Sequence, residues 1–337
     1  MNRELAKKVA DAVLYEGYML YPYRPSAIKN RQRWTFGILY PPAYREVCEG
    51  TERAAMHSEC LIVAGGEPRV QIQLRFLHSL TRLVARSAYD RFEASASLVV
   101  DGRLVESWDE GVERSVELEA VPGSSATKEF SFPGVAESEL LRDASGSVVG
   151  NISRTQHQVR GTVRASFQLV GSGVWKLVID VKNETVSGSQ ASDRGEALRR
   201  SLLSAHTILT VSSGQFVSLL DPNPELHELA SNCANIGNFP VLVGETGERD
   251  MMLCSPIVLY DYPQVAPESA GDFYDATEMD EMLTLRVMTL TDDEKNEMQA
   301  ADDHVRDLLL RTQESARAQL ARTHGAIRSM RPVSDKP

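Results

Sequence analysis

Cysteine is scarce in this chain. Four residues in 337, Cys48, Cys60, Cys233 and Cys254, are too few and too widely spaced for a disulfide framework. No run of about 18 apolar residues occurs, so no membrane-spanning helix is expected. Met1–Lys8 leads straight into a helical pattern, with no apolar stretch or small-residue cleavage site, so no secretory signal is expected either. These absences point to a soluble protein of a reducing cytoplasm with free thiols, in which the sequons at Asn151 and Asn183 carry no meaning. Positive charge is also short. The 36 Lys and Arg stand against 47 Asp and Glu, for a net charge of −11 and a pI near 5.2. That balance argues against binding nucleic acid or docking on an anionic membrane, both of which need a basic field.

The signatures of catalysis are missing too. There is no G-x-S-x-G elbow and no H-E-x-x-H pair, and the 7 histidines are scattered. The loop Gly244-Glu245-Thr246-Gly247-Glu248-Arg249 follows an apolar run, as phosphate loops do, but lacks the Walker lysine and carries two glutamates that would repel an anion. It reads as a surface turn. His227 sits between Glu225 and Glu228, an arrangement that ordinary surface helices contain. A triad assembled from distant residues leaves no local motif, so a hydrolase of that kind stays an alternative.

Cys48, His57 and Cys60 form C-x8-H-x2-C. A zinc site takes about four ligands, and the fourth, Cys233 or Cys254, comes without a second pair at metal spacing. The expectation is buried or idle thiols and no bound metal or cofactor. Six acids, Glu268, Asp272, Asp275, Glu278, Asp280 and Glu281, run without an intervening Lys or Arg, but their spacing is not that of an EF-hand loop. They read as a solvated acidic face, or as a dock for the basic Arg24–Arg33 segment of this chain or another copy.

Residues 15–40 concentrate what this chain otherwise has little of. Tyr15, Tyr18, Tyr21, Tyr23 and Tyr40 lie there with Trp34, beside Arg24, Lys29, Arg31 and Arg33. Aromatic and arginine side chains anchor interfaces, because they bury large area and still offer polar contacts. Tyr21, Tyr23, Arg24, Arg31, Arg33 and Trp34 are therefore the candidate partner-binding residues. The competing reading is a polar-aromatic seam inside the fold. It suits Tyr15, Tyr18 and Trp34 best, since their neighbours Leu14, Met19, Leu20, Phe36 and Ile38 need covering.

Hydrophobic content of 42% and charged content of 25% suit a globular chain able to bury a sizeable core. Leu5, Val9, Ala12 and Val13 fall at helical spacing over residues 3–15. Trp34–Tyr40 reads as a strand closed by Pro41-Pro42. Val70, Ile72, Leu74 and Phe76 alternate with Gln71, Gln73 and Arg75, the period-two mark of a half-buried strand. Asp101-Gly102 supplies the positive φ of a tight hairpin over 97–105, and Gly171-Ser172-Gly173 joins a second hairpin. Over 60–190 these strands imply an antiparallel sandwich. Glu196–Leu203 reads as a helix leading into a strand at Thr207–Val211, a short helix precedes Cys233, and Val241–Val243 and Pro256–Tyr260 read as short strands. Thr277–Asp280 and, more closely, Thr291–Glu294 carry capping boxes ahead of a last helix over Ala301–Arg328. The fold expected is α+β: an antiparallel β-sandwich-like core, a short N-terminal helix and an acidic, mostly helical C-terminal region. It divides into 1–220, the β-rich core with the aromatic-basic segment, and 221–337, mixed to helical.

Several segments together carry a family resemblance. They are Tyr15–Ser26 (YEGYMLYPYRPS) with Lys29-Asn30, Pro240–Glu245 with Arg249-Asp250, Ser255–Glu268 (SPIVLYDYPQVAPE) and His324–Arg328. The chain resembles an uncharacterised bacterial protein family encoded beside high-affinity nickel-iron uptake hydrogenases. The family brings no catalytic residues to carry over. The resemblance implies a cytoplasmic accessory role in assembly, maturation or scaffolding of such a hydrogenase, with its subunits or other products of the same gene cluster as partners. No histidine-rich tract supports nickel handling. The expectation is thus a non-enzymatic accessory protein. The alternatives are the spatially assembled hydrolase and a small-molecule-binding β-sandwich, and self-association is left open.

Overall fold

The alternation at Val70–Phe76 belongs to a strand far longer than that signature. In the computed structural model, which describes residues 3–16, 18, 30, 34, 36–187, 192–264, 287–310 and 312, one strand runs unbroken over Arg69–Ala88. In chain order the elements are α1 (Arg3–Tyr15), α2 (Pro42–Val47), β1 (Ala55–Val63), β2 (Arg69–Ala88), β3 (Arg91–Ser95), β4 (Ser97–Val100), β5 (Arg103–Glu106) and β6 (Trp108–Ala120). There follow β7 (Ala126–Phe132), β8 (Val135–Arg142), β9 (Val148–Gln156), β10 (Val159–Gly171) and β11 (Val174–Asn183). The rest are α3 (Arg194–Leu198), β12 (Leu203–Ser212), β13 (Gln215–Phe216), α4 (His227–Ser231), β14 (Phe239–Leu242), β15 (Met251–Ser255) and α5 (Asp292–Ala301).

The fold is α+β with an antiparallel β core. One sheet has five strands in the order β13-β1-β11-β10-β7, and the other has eight, β14-β15-β12-β2-β9-β8 with β3 and β6 on the opposite edge of β2. β2 is wide enough for four partners. On one edge it pairs with β12 over Arg69–Leu77 and then β9 over Thr81–Arg86. On the other it pairs with β6 over Val70–Arg82 and then β3 over Val84–Ala88. The two sheets bury their facing sides together. Val70, Ile72, Leu74 and Phe76 of β2 join Cys60 and Ile62 of β1 and Leu177 and Ile179 of β11 in one cluster. Burying each such side chain contributes about 1.5–3 kcal/mol, whereas an exposed ion pair contributes about 0–1 kcal/mol. The sheet interface therefore dominates stability.

Helices cover the outer faces. α1 lays Ala6, Val9, Ala10 and Val13 on Val241, Val243, Met251 and Leu253, while Ala230 of α4 covers Leu61 of the five-stranded sheet and Val217 just past β13. At the C-terminal end, Thr291 and Glu294 form a reciprocal capping box at the start of α5. Two polar side chains then tie α5 and the helical residues 303–310 to the sheet. Arg82 donates to the Ala300 carbonyl at 2.7 Å and to that of Ala301, satisfying the end of α5. Asp302 accepts from the Tyr18 hydroxyl (2.6 Å), Trp108 Nε1 (3.0 Å) and the backbone N–H of Val305 (2.9 Å).

Three local expectations are corrected. Trp34 and residues 36–40 form no strand. Trp34 and Gly37 take φ of 55° and 63°, so only Leu39 bridges, to Leu202. A Cβ on Gly37 would lie 2.8 Å from Pro256 Cβ, so the segment crosses there only because it has none. The strand assigned to Pro256–Tyr260 lies instead at Met251–Ser255, because Pro256 has no N–H to give the ladder. Ile257 and Leu259 pack against α1 without joining it. α3 ends at Leu198 and not at Leu203, since Leu203 already opens β12 opposite Leu77. The sheets also draw strands from beyond 190, as β12, β14 and β15 complete the larger one. The acidic run 268–281, the Thr277 cap and most of the last expected helix lie outside the described residues. Among the described residues no helix is long and apolar enough to cross a membrane.

Two measurements follow from the buried polar groups. Asp302→Ala leaves the Tyr18 hydroxyl and the Trp108 indole N–H, both in buried residues, without this acceptor. At about 1.5–3 kcal/mol for a hydrogen bond to a charged group, the loss is expected near 3 kcal/mol by chemical denaturation, with Asp302→Asn losing less. The pH profile has two opposed parts. Burial holds His78 and His206 down to about 4. Their folded values lie below the unfolded one, so their contribution is lost as pH falls from 6.5 towards 4. Burial, with the Glu297 charge second and Arg82 opposing both, raises Glu106 to about 7, and its Oε2 has no hydrogen-bond partner. Its contribution is present in the protonated form and is lost as pH rises from 4.5 to 7. Two histidines outweigh one carboxyl over the shared range, so stability should still fall from pH 6.5 to 4. Glu106→Gln should gain on the native chain by about 1–3 kcal/mol between pH 5 and 7.5, and parallel curves over that range would refute the assignment.

Candidate interaction surface

Past Thr81, β2 leaves the sandwich and carries a four-stranded arm in the order β8-β9-β2-β3. Side chains alternate between faces, so Val84 and Arg86 share one face and Leu83, Ala85 and Ser87 the other. The first face is covered by the β4–β5 hairpin, whose turn holds Asp101 and Gly102 at φ 48° and 79°. Val84 and Ile152 are buried beneath it. Gly150 makes the fit, because a Cβ there would lie 2.6 Å from Leu98 Cδ2 and overlap the Ala85 carbonyl. The ion pairs of the arm lie on this face too: Arg86–Glu93 (3.2 Å), Arg91–Glu93 (3.0 Å) and Arg154–Glu139 (3.1 Å).

On the opposite face the rows from Leu83 to Ala85 carry no charge, with Asp109 opposite Thr81 at the root and Arg142 beyond Leu140 at the outer end of β8. Register places Leu140, Asn151, Ala85 and Ala94 in one cross-strand row. Ser138, Ser153 and Leu83 make the next, and Ser87 pairs with Phe92 at the outer end. Leu83, Leu140 and Phe92 remain 50%, 48% and 44% exposed. Asn151 Nδ2 donates to Ser138 Oγ at 3.2 Å, which uses up polar capacity within the face. A quarter of the chain is charged, and charge concentrates at surfaces, so consecutive four-strand rows without a charge stand out on this surface. Four strands about 4.8 Å apart and about six residues long span roughly 19 by 20 Å. That is the scale of the largest patches that mark interaction sites, and about half of one side of a standard interface. Tyr89 stands fully exposed at the arm's tip with φ 52°.

Of the residues expected to bind a partner, Trp34 is buried in a cluster with Leu14, Tyr18, Tyr40 and Trp108. Tyr21, Tyr23, Arg24, Arg31 and Arg33 lie outside the described residues. Tyr15 and Tyr18 form a seam, Tyr15 stacking on His304 at 4.1 Å and Tyr18 meeting it edge-on. Cys48, His57 and Cys60 do not converge. His57 and Cys60 are three apart on one strand and so face opposite sides of the sheet. Cys60 is fully buried in the core, while the imidazole bonds Asp180. Among the described residues no group of three His, Cys, Asp or Glu is arranged to hold a metal. The loop at Gly244–Arg249 is a turn with Gly244 and Gly247 at positive φ, and His227 is exposed at the start of α4.

Two histidine–carboxylate pairs imitate parts of a triad. His57 Nδ1 lies 2.8 Å from Asp180, but Nε2 faces Glu59 at 3.5 Å, not a nucleophile. Glu59 in turn takes Lys176 and the Ala234 N–H, which keep its carboxyl below the usual range against the opposing effect of burial. His157 meets the Arg200 guanidinium at 3.2 Å, and Glu196 holds both Arg199 (2.6 Å) and Arg200 (2.7 Å). Both groups pin loops to strands. The sequence held a signal for the arm that motif reading passes over. Ala136, Ser138 and Leu140 alternate with Glu137 and Glu139, and Asn151 and Ser153 with Ile152 and Arg154.

No protein-family model matches the chain, and no curated protein does. Among solved structures, the Salmonella SPI-1 type III secretion injectisome secretin InvG (residues 176 to the end, open gate state) is 11% identical over 59% of this chain and 50% of that one, with a TM-score of 0.16. A near-atomic resolution cryo-EM structure of the same secretin is 11% identical over 74% of this chain and 75% of that one, with a TM-score of 0.14. The chain spans about half the length of the first. Scores this low do not establish a shared fold.

The fit of hairpin to arm is testable. Gly150→Ala must displace Leu98 and the Ala85 backbone, and overpacking of this kind costs about 1–3 kcal/mol. Faster amide exchange at Val99 and Val105, with unchanged exchange in β1 and β11, is the expected pattern. Equal exchange throughout would show that the hairpin does not rest on Gly150.

Proposed function

We propose that this chain is a non-enzymatic accessory protein that holds another protein against the open face of its β arm. The observation that carries the reading is the pair of uncharged cross-strand rows through Leu83 and Ala85, set between Asp109 and Arg142, on a chain of net charge −11. A surface of small hydroxyl, amide and apolar side chains desolvates at little cost and leaves no unpaired charge when covered. The family resemblance supplies the partner class, a subunit or gene-cluster neighbour of a nickel-iron hydrogenase, in an assembly, maturation or scaffolding step. The aromatic-basic residues Tyr21, Tyr23, Arg24, Arg31 and Arg33 are a second contact region on the same reading.

The test is recovery of hydrogenase subunits on tagged protein. Leu83→Arg and Leu140→Arg place a charge where the partner would have to bury it, so recovery should fall at least about tenfold, a change of roughly 1.4 kcal/mol. Both sites are half exposed, so melting temperature should stay within about 2 °C. Arg86→Ala, on the covered face, should capture normally. Undiminished recovery with both arginine variants would rule the face out.

A further inference from the structure

A cavity of about 380 Å³ opens where residues 36–40 cross the end of the sandwich. That is near the lower end of the range for small-molecule sites, about 300–1,000 Å³. Phe36, Ile38, Phe239 and Pro256 line it, with Met56 and Ala205. Arg53, from the segment before β1, and Arg194 of α3 also line it, together with Glu52.

The two arginines differ from four others that carry carboxylate partners. Arg75 is paired with Asp11, Arg82 with Glu110, and Arg199 and Arg200 with Glu196. Arg194 instead donates to the Trp34 carbonyl at 3.1 Å and lies beside the Tyr40 side chain, neither of which neutralises it. Among the described residues, neither it nor Arg53 has a carboxylate within ion-pair distance. Gly237, at φ 81°, passes over the Arg53 stem, where a Cβ would lie 3.2 Å from Cδ. The cavity residues carry two positive charges and one negative, so one positive charge is uncompensated.

We propose that this cavity binds a small monocarboxylate with a flat apolar body. Its carboxylate is held by Arg194 and Arg53, and its body lies between Phe36, Phe239 and Pro256. Guanidinium groups match carboxylates through paired N–H donors. The single excess charge fits a monoanion better than a phosphate dianion, and the apolar walls select against a bare inorganic anion. The inference stands independently of the β arm.

The test is calorimetric titration of the full chain with three probes: benzoate, benzyl alcohol and inorganic phosphate. Benzoate should bind at one site per chain, and benzyl alcohol and phosphate should each bind at least about tenfold more weakly. Arg194→Gln and Arg53→Gln should each weaken benzoate by a similar factor. Arg53 is exposed at the mouth, so its variant keeps the test valid should Arg194→Gln fold poorly. Glu52→Gln should tighten benzoate severalfold by removing the opposing charge. No benzoate binding up to about 10 mM would overturn the proposal. So would equal affinity for benzyl alcohol or phosphate, or native benzoate affinity in Arg53→Gln.

Discussion

The rest of the molecule depends on one strand keeping its register for twenty residues. β2 pairs with β6 from Val70 to Arg82 without a bulge and passes directly to β3 at Val84. Its side-chain parity is therefore fixed from one end to the other. The face that presents Gln71, Gln73 and Arg75 outward, where Asp11 of α1 meets Arg75, is the face that emerges on the arm as Leu83, Ala85 and Ser87. A slip of one residue would turn Val84 and Arg86 outward and drive Leu83 under the hairpin. Sandwich, arm and open surface are thus one geometric decision.

Against that long ladder, α5 and residues 303–310 are tied to the sheet by a few buried polar contacts. Asp302 gathers donors from residue 18, residue 108 and the following helix, and Arg82 closes the end of α5. These groups are buried and mutually satisfied, so removing one strands the others. Surface pairs such as Arg86–Glu93 carry no such penalty. The aromatic concentration near the N-terminus is used in part the same way, since Tyr15, Tyr18 and Trp34 serve as seam.

Elements set by local chemistry were legible in the sequence. Leu5, Val9 and Val13 specify α1, Asp101-Gly102 the β4–β5 turn, and Thr291 with Glu294 the cap of α5, because each depends on residues within one turn of one another. The errors arose where a distant partner decided. Pro256–Tyr260 has strand composition, but the ladder partner Thr207 takes Cys254 and the proline ends the pairing. Trp34–Tyr40 alternates suitably, yet only Leu39 finds a strand to meet. The open face was written in β8 and β9 as alternation, but the lack of charge in its central rows acquires meaning only once four strands lie side by side. The cavity was harder still, since Arg53 and Arg194 are 141 positions apart in sequence.

The arm also has a mechanical consequence. Its interior is a thin layer, Val84 and Ile152 under Leu98, whereas the sandwich buries side chains from both sheets along their whole length. Cooperative units open with free energies set by what they bury, so the arm forms a weaker unit that can unravel while the sandwich stays closed. Anything bound across its open face would also hold its strands in register, raising the arm's local stability by mass action. Occupancy would then be readable as protease resistance at the Tyr89 hairpin, far from any change in the sandwich.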